Sequence, residues 1–150
     1  MPSHYTYLNL GRVKYYGIEM GVDASVTKGV NVFANYSWQP DPTPNFDKSE
    51  INLPPHNRFN TGLNFLKSRY LGDVSLTYQD KAYWKDVLAP LYVGWTQAFT
   101  VVNGSFGVKW MGGKLVTTVK ANNIFNANMQ QHVFGDIIKR QIAGEARFSF

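Results

Sequence analysis

Strict alternation of apolar and polar residues is the feature that most limits what this chain can become. In its closing stretch Phe150, Phe148, Ala146, Gly144 and Ile142 are apolar or small, and Ser149, Arg147, Glu145 and Ala143 stand between them. Successive side chains of a strand point to opposite faces, so this stretch predicts a strand with one apolar face and one polar, charged face.

Six earlier stretches repeat the pattern. Over residues 12–26, Tyr16, Ile18, Met20, Val22, Ala24 and Val26 share one face, and Gly17, Glu19, Gly21, Asp23 and Ser25 the other. Val30, Val32, Ala34, Tyr36 and Trp38 oppose Asn31, Asn35 and Ser37, with Phe33 as an exception. Over 58–66, Phe59, Thr61, Leu63 and Phe65 alternate with Asn60, Gly62 and Asn64. A fourth strand sets Val74, Leu76 and Tyr78 against Asp73, Ser75, Thr77, Gln79 and Lys81. A fifth, over 97–110, sets Val102, Gly104, Phe106, Val108 and Trp110 against Asn103, Ser105, Gly107 and Lys109. A sixth sets Leu115, Thr117, Val119 and Ala121 against Val116, Thr118, Lys120 and Asn122.

The connections alternate as well. Those at 27–29, 67–72 and 111–113 are short; those at 39–55, 82–94 and 123–135 are long and are expected to be irregular. Five of the seven prolines fall in 39–55, where they remove ladder donors. In an antiparallel meander every second connection lies at the same end, so one end carries only tight turns and the other only long loops. Outer-membrane barrels show this asymmetry.

Charge and aromatic placement bear on the same question. Glu19, Asp23, Asp73, Lys81, Lys109, Lys120, Glu145 and Arg147 all fall on the polar face. A Lys or Arg facing lipid near the midplane costs about 2–4 kcal/mol, although a soluble sandwich segregates charge in the same way. Trp110, Phe148 and Phe150 fall toward the short-turn end of the apolar face, and Tyr16, Tyr36, Trp38 and Tyr78 toward the long-loop end. At ~3.3 Å per residue and a tilt of ~40°, the run from Val30 to Trp38 rises roughly 20 Å, near the ~25 Å apolar band flanked by aromatic girdles.

Composition excludes several alternatives. No apolar run reaches the length of a membrane-spanning helix. The mean hydropathy of -0.28 leaves a barrel open, because alternating strands average out. The absence of cysteine removes disulfides and thiolate chemistry. The net charge of +5 is scattered, without the basic runs of a nucleic-acid-binding chain. His4, His56 and His132 are the only histidines, and none shows metal-ligand spacing. No G-x-S-x-G elbow or other catalytic motif occurs, so neither an enzyme nor a bound cofactor is expected. The opening residues lack a signal pattern, so a membrane protein of this kind is expected to be a piece of a longer one.

Five pieces of the chain resemble one family. They are Asn9-Leu10-Gly11 followed by Gly17-Ile18-Glu19; Pro54-Pro55-His56-Asn57-Arg58-Phe59-Asn60; Ala121-Asn122-Asn123-Ile124-Phe125-Asn126; His132-Val133-Phe134-Gly135-Asp136; and Gly144-Glu145-Ala146-Arg147-Phe148-Ser149-Phe150. In order and spacing they resemble the C-terminal third of the β-barrel of TonB-dependent outer-membrane receptors. Asn123 and Ile124 depart from the single Asn followed by Leu that such a barrel shows.

The resemblance implies an all-β fold, about seven antiparallel strands in an up-and-down meander within a 22-stranded barrel closed around a plug. Residues 1–150 are then expected to be the C-terminal barrel segment, with the plug and the N-terminal strands absent. It implies TonB-energised uptake of a scarce ligand such as a siderophore across the bacterial outer membrane. The implied partners are outer-membrane lipid, the rest of the barrel and its plug, the TonB complex acting through that plug, and the barrel-assembly machinery; nucleic acid is not among them. Trp38, His56, Tyr83, Trp84, Tyr92 and His132 become candidates for ligand contact, Glu19, Glu145 and Arg147 for the plug-facing lumen, and Phe148 and Phe150 for an assembly signal. A small porin-like or structural barrel and a soluble β-sandwich binding module remain alternatives.

Overall fold

The computed structural model describes residues 9–85 and 91–150. Seven strands form one sheet: β1 (Ile18–Thr27), β2 (Val30–Trp38), β3 (Asn57–Lys67), β4 (Tyr70–Gln79), β5 (Phe99–Trp110), β6 (Leu115–Asn122) and β7 (Gln141–Phe148). They lie side by side in chain order, and every neighbouring pair is antiparallel. The expected meander is therefore the observed one.

The register carries the alternation across the whole sheet. Ala24, Val32, Leu63, Val74, Gly104, Ala121 and Ile142 are directly opposed partners, one from each strand. One step along, Ser25, Asn31, Asn64, Asp73, Ser105 and Lys120 form a polar row that ends on Ala143. A one-residue slip of any strand would carry its apolar set onto the polar face, so the pattern itself selects the register. Hydrogen bonds cross the polar row: Ser25 Oγ donates to Asn31 at 2.7 Å, Asn31 Nδ2 to Asn64 at 3.1 Å, and Ser105 Oγ to Asp73.

The apolar face is uncovered. Met20 is 61% exposed, Phe106 50% and Ile142 68%, and Ala82, Phe99 and Val101 are the buried apolar residues among those described. A soluble sandwich would lay a second sheet of similar size on that face. The described residues hold only two further sheets, each of two strands. Exposed apolar surface on this scale is stable in water only if something else covers it; a bilayer does so for a barrel wall.

Phe33, the exception to the alternation, has a local cause. It stands on the polar face directly opposite Gly62, with ring atoms 2.8 and 2.9 Å from where a Gly62 Cβ would sit. The ring covers the bare backbone of its partner, and glycine leaves room for it. On the outward face Phe65 covers Gly72 in the same way.

The boundaries differ from expectation at five places, one of them the third long connection, which runs on past residue 135 to β7 at Gln141. The first long strand begins at Ile18 rather than near residue 12. Val13–Lys14 instead pairs with Thr43–Pro44 inside the first long connection. The second short turn is tighter than 67–72, because Tyr70 and Lys67 already pair and only Ser68 and Arg69 lie between the strands. Lys81 lies beyond β4, which ends at Gln79. The stretch 82–94, expected to be irregular, contributes a hairpin, Ala82–Lys85 with Val93–Thr96; residues 86–90 of it lie outside those described. Alternating aromatic and small residues (Ala82-Tyr83-Trp84, Gly94-Trp95-Thr96) suit strands, but each run is too short to show a period.

Candidate functional site

Three long connections meet at one end of the sheet. The first, 39–56, is shaped by its prolines and by a 3-10 turn at Lys48–Glu50, whose N-cap Asp47 accepts from Ser49 N at 2.9 Å. Asp41 is its hub. It accepts from Lys48 Nζ at 2.6 Å and lies 2.5 Å from His56 Nε2. The Lys48 hydrogen bond first, and the His56 contact second, hold the Asp41 carboxyl below its ordinary range.

The hairpin of the second connection is fastened to the first. Leu53 and Tyr83 exchange both backbone hydrogen bonds at 2.9 Å. Lys85 pairs with Glu50 at 2.6 Å, and its backbone N donates to Asn52 at 2.7 Å. Inside the hairpin, Thr96 is 1% exposed; its hydroxyl donates to Ala82 O and accepts from Trp84 Nε1, both at 3.3 Å.

The third connection is pinned by Asn123, which is also 1% exposed. Its φ of 51° is left-handed, a conformation Asn tolerates better than most residues. Its side chain donates to Ala127 O at 2.7 Å and to Ile138 O at 3.0 Å, and accepts from Ala127 N at 2.8 Å. The doubled Asn at 122 and 123 is thereby accounted for. Asn122 ends β6, and Asn123 turns the chain and holds both arms of the loop.

Aromatic rings link the second and third connections. Trp84 and His132 have centroids 4.3 Å apart, His132 stacks on Phe134 at 5.3 Å, and Phe134 lies 4.2 Å from Tyr92. On the other side of the hairpin, Tyr83 meets Trp95 at 5.4 Å, and Lys81 Nζ sits 4.8 Å over the Trp95 ring. A cleft of about 450 Å³ opens there, lined by Asp41, Pro54, His56, Asp80, Trp95 and Gln97 among others. Burial tends to raise the Asp80 pKa, but hydrogen bonds from Tyr78 and Asn57 outweigh it and keep the carboxyl low.

The candidates thus separate into groups. Trp84, Tyr92 and His132 come together through Phe134. Tyr83 joins Trp95, and His56 joins Asp41 and Lys48. Trp38 belongs to neither cluster; it lies on the apolar face in an edge contact with Tyr16 at 6.5 Å, where a girdle residue would sit. His4 lies outside the described residues. Sequence reasoning missed Phe134, Lys81, Asp41 and Asp80 as members of these groups: Phe134 and Asp80 are recruited by residues far away in the chain, and Asp41 and Lys81 by the folding back of their own connections, which no period encodes. Chemically the site offers aromatic faces, a cation over a ring and two ionised carboxylates. Such a set suits a flat or polyhydroxylated ligand. Among the described residues no group of three or more His, Asp or Glu could hold a metal ion.

The inward face is polar and grooved. A hollow of about 540 Å³ is lined by Glu19, Gly21, Asn35, Arg58, Asn60 and Gln79 among others. Glu145 pairs with Lys120 at 2.5 Å across β6 and β7. Among the described residues neither Glu19 nor Arg147 joins an ion pair. Phe148 and Phe150 are exposed, with ring centroids 5.8 Å apart.

The family model described as TonB dependent receptor-like, beta-barrel matches residues 1–127. No curated protein matches the chain. The match covers β1 to β6 and the start of the third connection, and β7 continues the same register beyond it. Family match, meander, segregated connections and uncovered apolar face agree: this chain belongs to the TonB-dependent receptor-like β-barrel family, whose members act as outer-membrane receptors and transporters.

Proposed function

We propose that residues 1–150 form the C-terminal wall of a longer outer-membrane receptor that imports a scarce ligand, such as a siderophore, with energy from the TonB complex. The observation that carries this reading is the unbroken apolar row through all seven strands, from Ala24 to Ile142, over a polar inward face. The apolar face meets lipid. The polar face meets a plug, with Glu19 and Arg147 as its contacts, while Glu145 is engaged by Lys120. The long connections face outward, and Trp84, Tyr92 and His132 capture ligand, with His56 lining the adjoining cleft and Tyr83 packing against Trp95 at its wall. Phe148 and Phe150 present the last strand to the barrel-assembly machinery.

Uptake by cells carrying the full-length protein tests this. Ligand accumulation is expected to require the TonB complex and to fall when Trp84 and Tyr92 are both replaced by Ala, with surface levels unchanged. Accumulation that persists without the TonB complex would leave a passive pore as the better account.

A further inference from the structure

The two ends of the sheet differ in charge. Of the chain's ten acidic residues, Glu19, Asp23, Asp73 and Glu145 fall on the inward face and the others in the long connections. The short-turn end has none. Its three turns carry Lys28, Arg69 and Lys114, and Lys67 ends β3 beside the second turn, all exposed. The turns lie side by side: Leu66 N donates to Gly29 O at 2.7 Å, and Lys109 N to Arg69 O at 2.8 Å. The cations therefore form a row along the rim, with no Asp or Glu side chain in the turns to neutralise them.

Between the second and third turns lies a cleft of about 480 Å³, lined by Ser68, Arg69, Lys109, Trp110, Met111 and the two glycines that follow. The Arg69 guanidinium sits 5.1 Å above the Tyr70 ring, and its Nη2 donates to the Tyr70 hydroxyl at 3.0 Å. Tyr70 is opposite Val108 on the apolar face, so this cation stands where the charged rim meets the apolar belt. Trp110 and Met111 extend that belt into the cleft and are 44% and 69% exposed. A cation beside exposed apolar side chains fits an amphiphile with an anionic head. A free anion would make no use of Trp110 or Met111.

We propose that this cleft binds an anionic phospholipid of the periplasmic leaflet. The headgroup phosphate lies against Arg69, in the field of Lys67 and Lys114, and an acyl chain runs along Trp110 and Met111. Clusters of exposed Lys and Arg next to a membrane surface attract anionic lipid in this way. The inference rests on the membrane reading above, which sets the short turns at the periplasmic side.

Native mass spectrometry of the full-length protein, released from vesicles of phosphatidylethanolamine with or without phosphatidylglycerol, tests it. Phosphatidylglycerol is expected to be retained preferentially. Arg69→Gln and Lys114→Gln should each lower that retention about fivefold. Arg69→Lys should keep most of it, and heat-modifiable gel migration will show that every variant is folded. Equal retention of both lipids, or retention unchanged in the double variant, would overturn the proposal. Displacement of the lipid by inorganic phosphate at equal concentration would overturn it in favour of a free-anion site. Failure to insert into any vesicle would overturn the membrane reading itself, and with it this inference.

Discussion

The rings of Trp84 and His132, 4.3 Å apart, join two connections that are distant in the chain. Trp84 is held from behind by Thr96, and His132 is extended by Phe134 toward Tyr92. The second and third connections therefore share one coupled surface. Aromatic pairs of this kind contribute about 0.5–1.5 kcal/mol beyond the area they bury. Trp84→Ala is expected to free the third connection. A spin label at Gln131 of the full-length protein should become more mobile, while one at Ser49 in the first connection should not.

The Asn123 side chain ties both arms of the third connection together. Replacing Asn123 with Ala removes the partners of Ala127 N and Ile138 O, which are half-buried or exposed, at about 0.5–1.5 kcal/mol for each hydrogen bond, and places Ala in a left-handed backbone. Asn123→Gly relieves the backbone but not the hydrogen bonds. Urea unfolding in lipid vesicles should rank wild type above Asn123→Gly, and Asn123→Gly above Asn123→Ala.

The pairing of Phe33 with Gly62 predicts an unusual sensitivity on the polar face. A Cβ at residue 62 would lie 2.6 Å from Val74 O and within 3 Å of the Phe33 ring. Gly62→Ala is expected to destabilise the barrel by about 1–3 kcal/mol, the usual cost of overpacking. Gly144, where an added Cβ meets nothing within 4 Å, is the control: Gly144→Ala should be close to neutral in the same unfolding measurement.

Acid should loosen the first connection in a defined window. Asp41 has its pKa lowered in the folded state, by the Lys48 hydrogen bond above all. Its contribution is present above the unfolded value of 3.8 and is lost as pH falls through the lower folded value. The mobility of a spin label at Ser49 should therefore stay flat down to about pH 3.8 and rise below it. Asp41→Asn should show higher mobility above pH 3.8 and a smaller step below it, the remaining step coming from Asp47, which the Ser49 backbone hydrogen bond also holds low.

Strand number, order and facing could be read from the chain because a period of two is a local signal repeated seven times, and because one buried or lipid-covered face ties register to pattern. Val30–Trp38 matches expectation to the residue. The break before Ile18 was not legible: Tyr16 and Gly17 continue the alternation, but the Gly17 position lies too close to Trp38 O for a side chain, and the chain leaves the sheet there. The hairpin was missed because four-residue strands give no period. Phe33 looked like a fault until its partner Gly62 was known, and partnership is a property of register. The candidate site was legible only as a set of aromatic and histidine residues in loops. Which of them meet depends on contacts such as Leu53 with Tyr83, which no local pattern encodes.

The central claim is that the two faces of the sheet meet different solvents, lipid outside and a polar lumen inside. Residues 1–150 hold no cysteine, so with any cysteine elsewhere in the full-length protein replaced, single cysteines placed here report each face without background. Spin labels placed one at a time at Ala24, Val32, Leu63 and Val74, and at Ser25, Asn31, Asn64 and Asp73, in the full-length protein in lipid vesicles, would measure contact with oxygen and with a water-soluble nickel complex. The account predicts high oxygen and low nickel contact at the first four positions and the reverse at the second four. Equal access of the nickel complex to both sets would contradict it.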